Sequence, residues 1–193
     1  MNVLAHLHLA TLAQSSLVGN VVADFVKGNP YQQYHTVIAD GIMMHRRIDA
    51  MIDNIPEVRQ AKSLFATENQ RVAFITLDVV WDHFLSKHWS QFMKNSTVTE
   101  FSEAARQQIL PDFSMMPESF QRFMSALWRE NWLEEYRHIE AIDDTLSSMA
   151  KRRPKLSALK DSFTDFTLHY DALEQLFFQF YPRLIELAKN AKL

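Results

Sequence analysis

The residues able to do chemistry in this chain are acids and histidines that fall where helical apolar faces should be continuous. Across residues 71–92, Phe74, Leu77, Trp81, Leu85, Trp89 and Phe92 share one face at about 100° per residue. Asp78 lies in the middle of that face and Asp82, one turn on, lies on its shoulder, whereas His83 projects to the opposite side. A carboxylate buried without a partner is costly, so Asp78 requires a cation, a strong set of hydrogen bonds or a metal. Residues four apart stack one above the other, which lets Asp78 and Asp82 share that partner. Residues 16–27 repeat the theme: Leu17, Val18, Val21, Val22, Phe25 and Val26 cover most of the circumference, and Asn20, Asp24 and Lys27 form its polar stripe. An interior helix presents such a stripe to a cleft. In residues 37–53, His45 falls among Ile38, Ile48 and Ile52, Asp49 sits at the edge beside Ile42, and Arg46 and Arg47 point outward. His6 and His8 carry too little pattern to be placed.

Each of these has an ordinary explanation when taken alone. Asp78 can sit in a buried salt bridge or cap another helix, Asp24 can pair with Lys27, and His45 can be a satisfied core residue. Taken together, several helices offer histidine and acid inward while the chain contains no cysteine. Nitrogen and oxygen donors without thiolate suit Mn²⁺, Mg²⁺, Fe or Zn²⁺, and helical folds build such sites from side chains on facing helices. Two carboxylates alone serve acid–base chemistry; the added imidazole favours metal. The chain has no Gly-rich phosphate loop, nucleophile elbow or HExxH motif. A second feature is Lys151-Arg152-Arg153-Pro154-Lys155, with four basic residues in five. It reads either as a solvated corner or as a docking patch for an acidic protein or a phosphate, because guanidinium groups grip phosphate oxygens bidentately.

The elements that must position these groups are helices. Three glycines in 193 residues leave little turn chemistry for an all-β fold. Breaks at Gly28-Asn29-Pro30, Pro56, Asn95-Ser96-Thr97, Pro111 to Pro117 and Pro154 divide helices near 3–13, 16–27, 35–53, 57–66, 70–94, 99–110, 118–129, 131–150 and 156–189. Val3 to Leu9 and Val21-Val22 would also suit short strands. The last segment has the clearest period, with Leu156, Leu159, Phe163, Phe166, Tyr170, Leu173, Phe177, Phe180, Leu184 and Leu187 alternating steps of three and four. That predicts one long core-packing helix, bent at Pro182. The length predicts a single domain over 1–193, and 47% apolar residues exclude a disordered chain. A net charge of −3 excludes a broadly cationic nucleic-acid binder. The apolar opening from Val3 to Leu12 is broken by His6 and His8 and falls short of the ~18 residues of a membrane span. The first basic residue is Lys27, so a secretory n-region is missing and the expected location is cytoplasmic.

The blocks MNVLAHLHLA, GNVVADFVKGNP, GIMMHRRID, NIPEVR, TLDVVWDHFLSKHWS, MAKRRPKL, HYDALE and FYPRL, running in order from residue 1 to about Lys189, resemble the bacterial acyl carrier protein phosphodiesterases. That family is a divergent branch of the all-helical HD phosphohydrolases. The resemblance implies an HD-phosphohydrolase-like helical bundle. It also implies hydrolysis of holo-acyl carrier protein to the apo form with release of 4′-phosphopantetheine, and dependence on a divalent cation, Mn²⁺ foremost, with Mg²⁺ or Fe²⁺ as alternatives. The ADF block places Asp24 on the family's essential acid; HRRID supplies His45 and Asp49; LDVVWDHF supplies Asp78, Asp82 and His83. No adjacent His-Asp pair exists, since Asp82-His83 is the reverse order, so the HD ligand set does not map directly. The expected metal ligands are Asp24, His45, Asp78, Asp82 and His6, with Asp24 and Asp82 in catalytic roles. Lys27, Arg46 and Arg47 would hold phosphate oxygens, and Arg152 and Arg153 would receive the acidic carrier. Neither a nucleic acid nor a membrane is expected as partner. Two rival readings are a metal phosphohydrolase acting on a nucleotide and a non-catalytic helical adaptor for an acidic protein.

Overall fold

The computed structural model describes residues 1–190 and 193, and its regular elements are all helical. In chain order they are α1 (Val3–Leu12), α2 (Leu17–Val22), α3 (Thr36–Ile52), α4 (Pro56–Ser63), α5 (Ala73–Lys87) and α6 (Trp89–Phe92). There follow α7 (Val98–Phe113), α8 (Glu118–Arg129), α9 (Trp132–Glu135), α10 (Ile139–Arg152), α11 (Ala158–Leu168) and α12 (Tyr170–Lys189). Short 3₁₀ turns lie at Ala23–Phe25, Pro30–Gln32, Thr67–Asn69 and Pro154–Leu156. Both segments that would also have suited strands are helical. Among the described residues, no helix is long and apolar enough to cross a membrane.

Local chemistry explains several boundaries. Thr97 and Glu100 form a reciprocal capping box that starts α7, and the Ser16 side chain accepts from the Gly19 amide to start α2. Gly19 and Gly41 allow α2 and α3 to cross in near contact. A Cβ at Gly19 would stand 2.4 Å from the Ile38 carbonyl oxygen, and one at Gly41 would stand 2.9 Å from that of Ser16. The core joins α5, α11 and α12 through Trp81, Phe84, Phe166, Phe177, Phe180 and Tyr181, all fully buried. The aromatic stripe of the C-terminal segment is therefore core, as its period implies.

Five expected boundaries change; two are the helices expected over 70–94 and 131–150, which break at His88 into α5 and α6 and between Glu135 and Ile139 into α9 and α10. The C-terminal segment is two helices, broken at His169 (φ −110°, ψ 20°), while Pro182 lies inside α12. Hydrophobic period counts residues, so a single bridge-region residue turns the axis without disturbing the stripe. Pro111 lies inside α7 and does not end it. The segment expected as one helix over 16–27 stops at Val22 and tightens into the 3₁₀ turn that carries Asp24.

Candidate metal centre

The site begins with how α1 is held. This helix has no side-chain cap of its own. Asp82 of α5 supplies one from across the fold, accepting from the Leu4 amide at 2.7 Å and the Ala5 amide at 3.0 Å. Those are orphan donors of the first helical turn, so Asp82 is fully buried and satisfied by backbone. Burial pushes its carboxyl up to about 7, against the two amide donors that favour the charged form. Both oxygens are engaged by α1, and Asp82 stands apart from the candidate donor group of His6, His45 and Asp49. Its effect is to fasten the first turn of α1 so that His6, the residue after Ala5, faces α3.

There, the His6 and His45 rings stack at 3.8 Å between centroids. His6 Nε2 lies 3.1 Å from Asp49 Oδ1, and His45 Nε2 lies 3.1 Å from Asp49 Oδ2 and 3.3 Å from Asp24 Oδ1. Both imidazoles are buried, and Asp49 is 41% exposed. The Met1 amino group completes the far side, 3.2 Å from Asp49 and 2.9 Å from Asp78. Burial and the neighbouring His45 lower His6 to about 4, leaving it neutral at pH 7. Burial works against a charged His45, but Asp24 and Asp49 together raise it to about 9. Burial likewise works against Asp49, but His45, His6 and the Met1 ammonium hold it well below the ordinary carboxylate range.

His6, His45 and Asp49 each offer one ligand atom, all within 4.8 Å of one another. His45 Nε2 touches both carboxylates yet makes no hydrogen bond of proper geometry, and is a buried polar atom without a partner. A nitrogen set between two carboxylates, at 3.1 and 3.3 Å, suits a cation shared among these groups. The donor set, imidazole nitrogen and carboxylate oxygen, suits first-row divalent ions and Mg²⁺.

Several expected residues stand elsewhere. Asp78 is not in the middle of a buried face; its side chain is 43% exposed and reaches the cluster only through the Met1 amine. His83 is buried instead of outward: its Nδ1 lies 2.8 Å from the Tyr136 carbonyl and its Nε2 2.7 Å from the Tyr170 hydroxyl. The helical wheel misplaced both because α5 is covered on nearly all sides, with α1 crossing at Asp82 and Tyr136 lying over His83. The expected stripe Asn20/Asp24/Lys27 is split by the end of α2, leaving Asn20 fully buried while the Asp24 side chain, 76% exposed, rims the site. Lys27 is exposed. Arg46 is not free for a phosphate, since its guanidinium donates to the carbonyls of Val26 and Gly28 at 2.8 and 2.9 Å. Arg47 donates to the Leu193 carbonyl at 3.0 Å. Arg152 and Arg153 are exposed at the end of α10, and Arg71 joins that corner by donating to the Lys155 carbonyl at 2.9 Å. Asp49 is the site residue that sequence reasoning left out of the ligand set, although its place four residues after His45 on one helix face was the available signal.

An all-helical domain with an N/O-donor cluster at the junction of α1 and α3 is what these observations define. A family model described as acyl carrier protein phosphodiesterase matches residues 1–184. Curated proteins named acyl carrier protein phosphodiesterase are similar over the full length of both chains. One from Enterobacter sp. (strain 638) is 55% identical, one from Escherichia coli O6:H1 is 53% identical, and one from Serratia proteamaculans (strain 568) is 49% identical. The chain belongs to the acyl carrier protein phosphodiesterase family. No solved structure matches it.

Proposed function

We propose that this protein uses a divalent cation held by His6, His45, Asp49 and Asp24, with Mn²⁺ the foremost candidate, to hydrolyse the phosphodiester that joins 4′-phosphopantetheine to the serine of holo-acyl carrier protein. As a member of its family the chain is a phosphodiesterase. The observation that carries the metal reading is the grouping of the His6, His45 and Asp49 donor atoms within 4.8 Å of one another, with His45 Nε2 set between two carboxylates.

When bound, such a cation supplies Lewis-acid polarisation of the phosphoryl oxygens and a water acidified toward neutral pH. The chain's own residues hold and orient. Neutral His6 loses no proton overall, though the hydrogen its Nε2 donates to Asp49 must move to Nδ1 before Nε2 can ligate, whereas His45 must give one up. Asp49 is already ionised and needs no proton transfer. Asp24, on the rim, is the donor best placed to meet an incoming substrate, and exposed Lys27, three residues on, is available for a phosphoryl oxygen. The water oxygen bonds to phosphorus, the bond from phosphorus to the serine oxygen breaks, and serine leaves as its hydroxyl after taking up a proton. The products are the apo carrier and 4′-phosphopantetheine.

An acidic carrier is received at the corner of Lys151, Arg152, Arg153 and Lys155, to which Arg71 adds a further positive charge. The deciding experiment incubates the purified protein with holo-acyl carrier protein and Mn²⁺ and weighs the carrier by mass spectrometry. Conversion to the apo mass, lost with chelator and restored by Mn²⁺, is expected. An intact holo mass with added metal overturns the reading.

A further inference from the structure

Asp24 sits in the 3₁₀ turn that ends α2, and the chain that follows it has no helical ladder. From Val26 to Asn29 the backbone leaves the 3₁₀ turn and passes over α3, so its carbonyls must find partners elsewhere. Two side chains take them alternately. Arg46 takes those of Val26 and Gly28 at 2.8 and 2.9 Å, and Gln33 takes those of Lys27 and Asn29 at 2.8 and 3.1 Å. Gln33 belongs to the same strap and moves with it. Arg46 belongs to α3 and is the immediate neighbour of His45. The strap turns at Gly28, whose φ of +77° is a left-handed conformation that other residues adopt with strain. Inside, Phe25 packs on Phe120 and Phe123 at 5.5 and 5.6 Å between centroids.

We propose that Arg46 is a positioning residue: its forked guanidinium ties the strap to α3 and so fixes Asp24 against His45 for binding of the cation. The inference rests on the metal reading above and assigns Arg46 a task other than gripping phosphate. A planar fork suits two carbonyls of one loop, which a lysine ammonium would not span in the same way. The sign of the effect separates the readings. A cation beside a metal site repels the metal, so on charge alone Arg46→Ala should tighten Mn²⁺ binding. A phosphate-gripping arginine would leave Mn²⁺ binding in the free protein unchanged. A tether predicts weaker binding.

The test is calorimetric titration of the full chain with Mn²⁺, alongside thermal melts, for wild type, Arg46→Ala, Arg46→Lys, Gly28→Ala, Asp24→Asn and the Arg46→Ala/Asp24→Asn pair. Arg46→Ala should weaken Mn²⁺ about tenfold, in the range seen for residues that orient metal ligands, and Arg46→Lys should fall between it and wild type. Gly28→Ala, whose added Cβ meets nothing within 4 Å, strains only the turn and should weaken binding without removing a charge. The pair should bind no more weakly than Asp24→Asn alone, because the tether acts through Asp24. Unchanged or tighter binding by Arg46→Ala, or fully additive losses in the pair, overturns the proposal; if Arg46→Ala does not fold, unchanged binding by both Arg46→Lys and Gly28→Ala does so. Wild type that binds no Mn²⁺ removes the underlying metal reading, and the inference with it.

Discussion

The imidazole rings of His6 and His45, 39 positions apart in sequence, lie stacked with their centroids 3.8 Å apart and their planes 19° from parallel. Two charged rings at that distance would repel strongly, so the pair carries at most one positive charge. Asp24 and Asp49 draw it to His45, at about 9, while His6 stays neutral, at about 4. The site is thus asymmetric before any ligand arrives: one imidazole is neutral and donates its Nε2 hydrogen to Asp49, and the other carries an extra proton that it must release.

Metal affinity should therefore rise with pH. Metal ligands bind deprotonated, so each cation that enters should expel the His45 proton. Below about 9 the apparent Mn²⁺ affinity should fall by about tenfold per pH unit. Titrations in buffers of different ionisation enthalpy at pH 6, 7 and 8 would show it, and pH-independent affinity with no proton release would remove His45 from the ligand set.

Asp24→Asn should keep the fold and lose most activity. The side chain is 76% exposed and pairs with His45, so the stability change should stay within about 1 kcal/mol. Outer residues that merely orient ligands cost about 10- to 100-fold, and a ligand should cost at least as much. Near wild-type turnover at saturating Mn²⁺ would exclude the role.

Asp82 and Asp78 should separate stability from chemistry. Asp82→Ala strands the buried amides of Leu4 and Ala5 and should cost about 2–4 kcal/mol. The fraction that remains folded should still turn over when Mn²⁺ saturates. Asp78→Leu removes a half-exposed partner of the Met1 amine and should be milder. Urea unfolding read beside kcat decides this: an Asp82→Ala protein of normal stability and no activity would return Asp82 to the catalytic machinery.

Acid should destabilise the fold through histidines outside the cluster. His8 and His83 are buried and held neutral, at about 4 in the fold against 6.5 when exposed. Between those values the unfolded chain binds protons that the native state refuses, so stability falls as pH drops from 6.5 toward 4. Each group accounts for up to about 3 kcal/mol. His8→Gln should flatten the pH dependence of the urea midpoint over that window; an unaltered profile would show that His8 does not titrate there.

Replacing both Arg152 and Arg153 with Ala should raise KM for holo-acyl carrier protein and leave kcat little changed. Charges on the rim of an interface act mainly on association rate and salt dependence. With a Debye length of about 8 Å at physiological ionic strength, added NaCl should slow the wild type more than the double variant. Equal salt slopes would mark the corner as solvated surface and move docking to the exposed Lys27 and to Arg47.

The sequence by itself determined the helical class, the apolar stripe of the C-terminal segment and the candidate donor types, because these depend on period and composition. The blocks around Asp24, His45 and Asp78 also sufficed to point to the family. The tertiary structure decided which donors meet. A helical wheel knows one helix and one apolar side, but α5 is enclosed, so its acids are sorted by what crosses them: Asp82 by the amides of α1, Asp78 by the Met1 amine. His6 had no pattern of its own, because nearly every residue of α1 from Leu4 to Ala10 is buried and the helix has no polar face to read. Its role follows only from the tertiary cap that turns it toward His45. Arg46 looked free because periodicity reports which way a side chain leaves its helix, and cannot report the carbonyls of an irregular strap folded over that side.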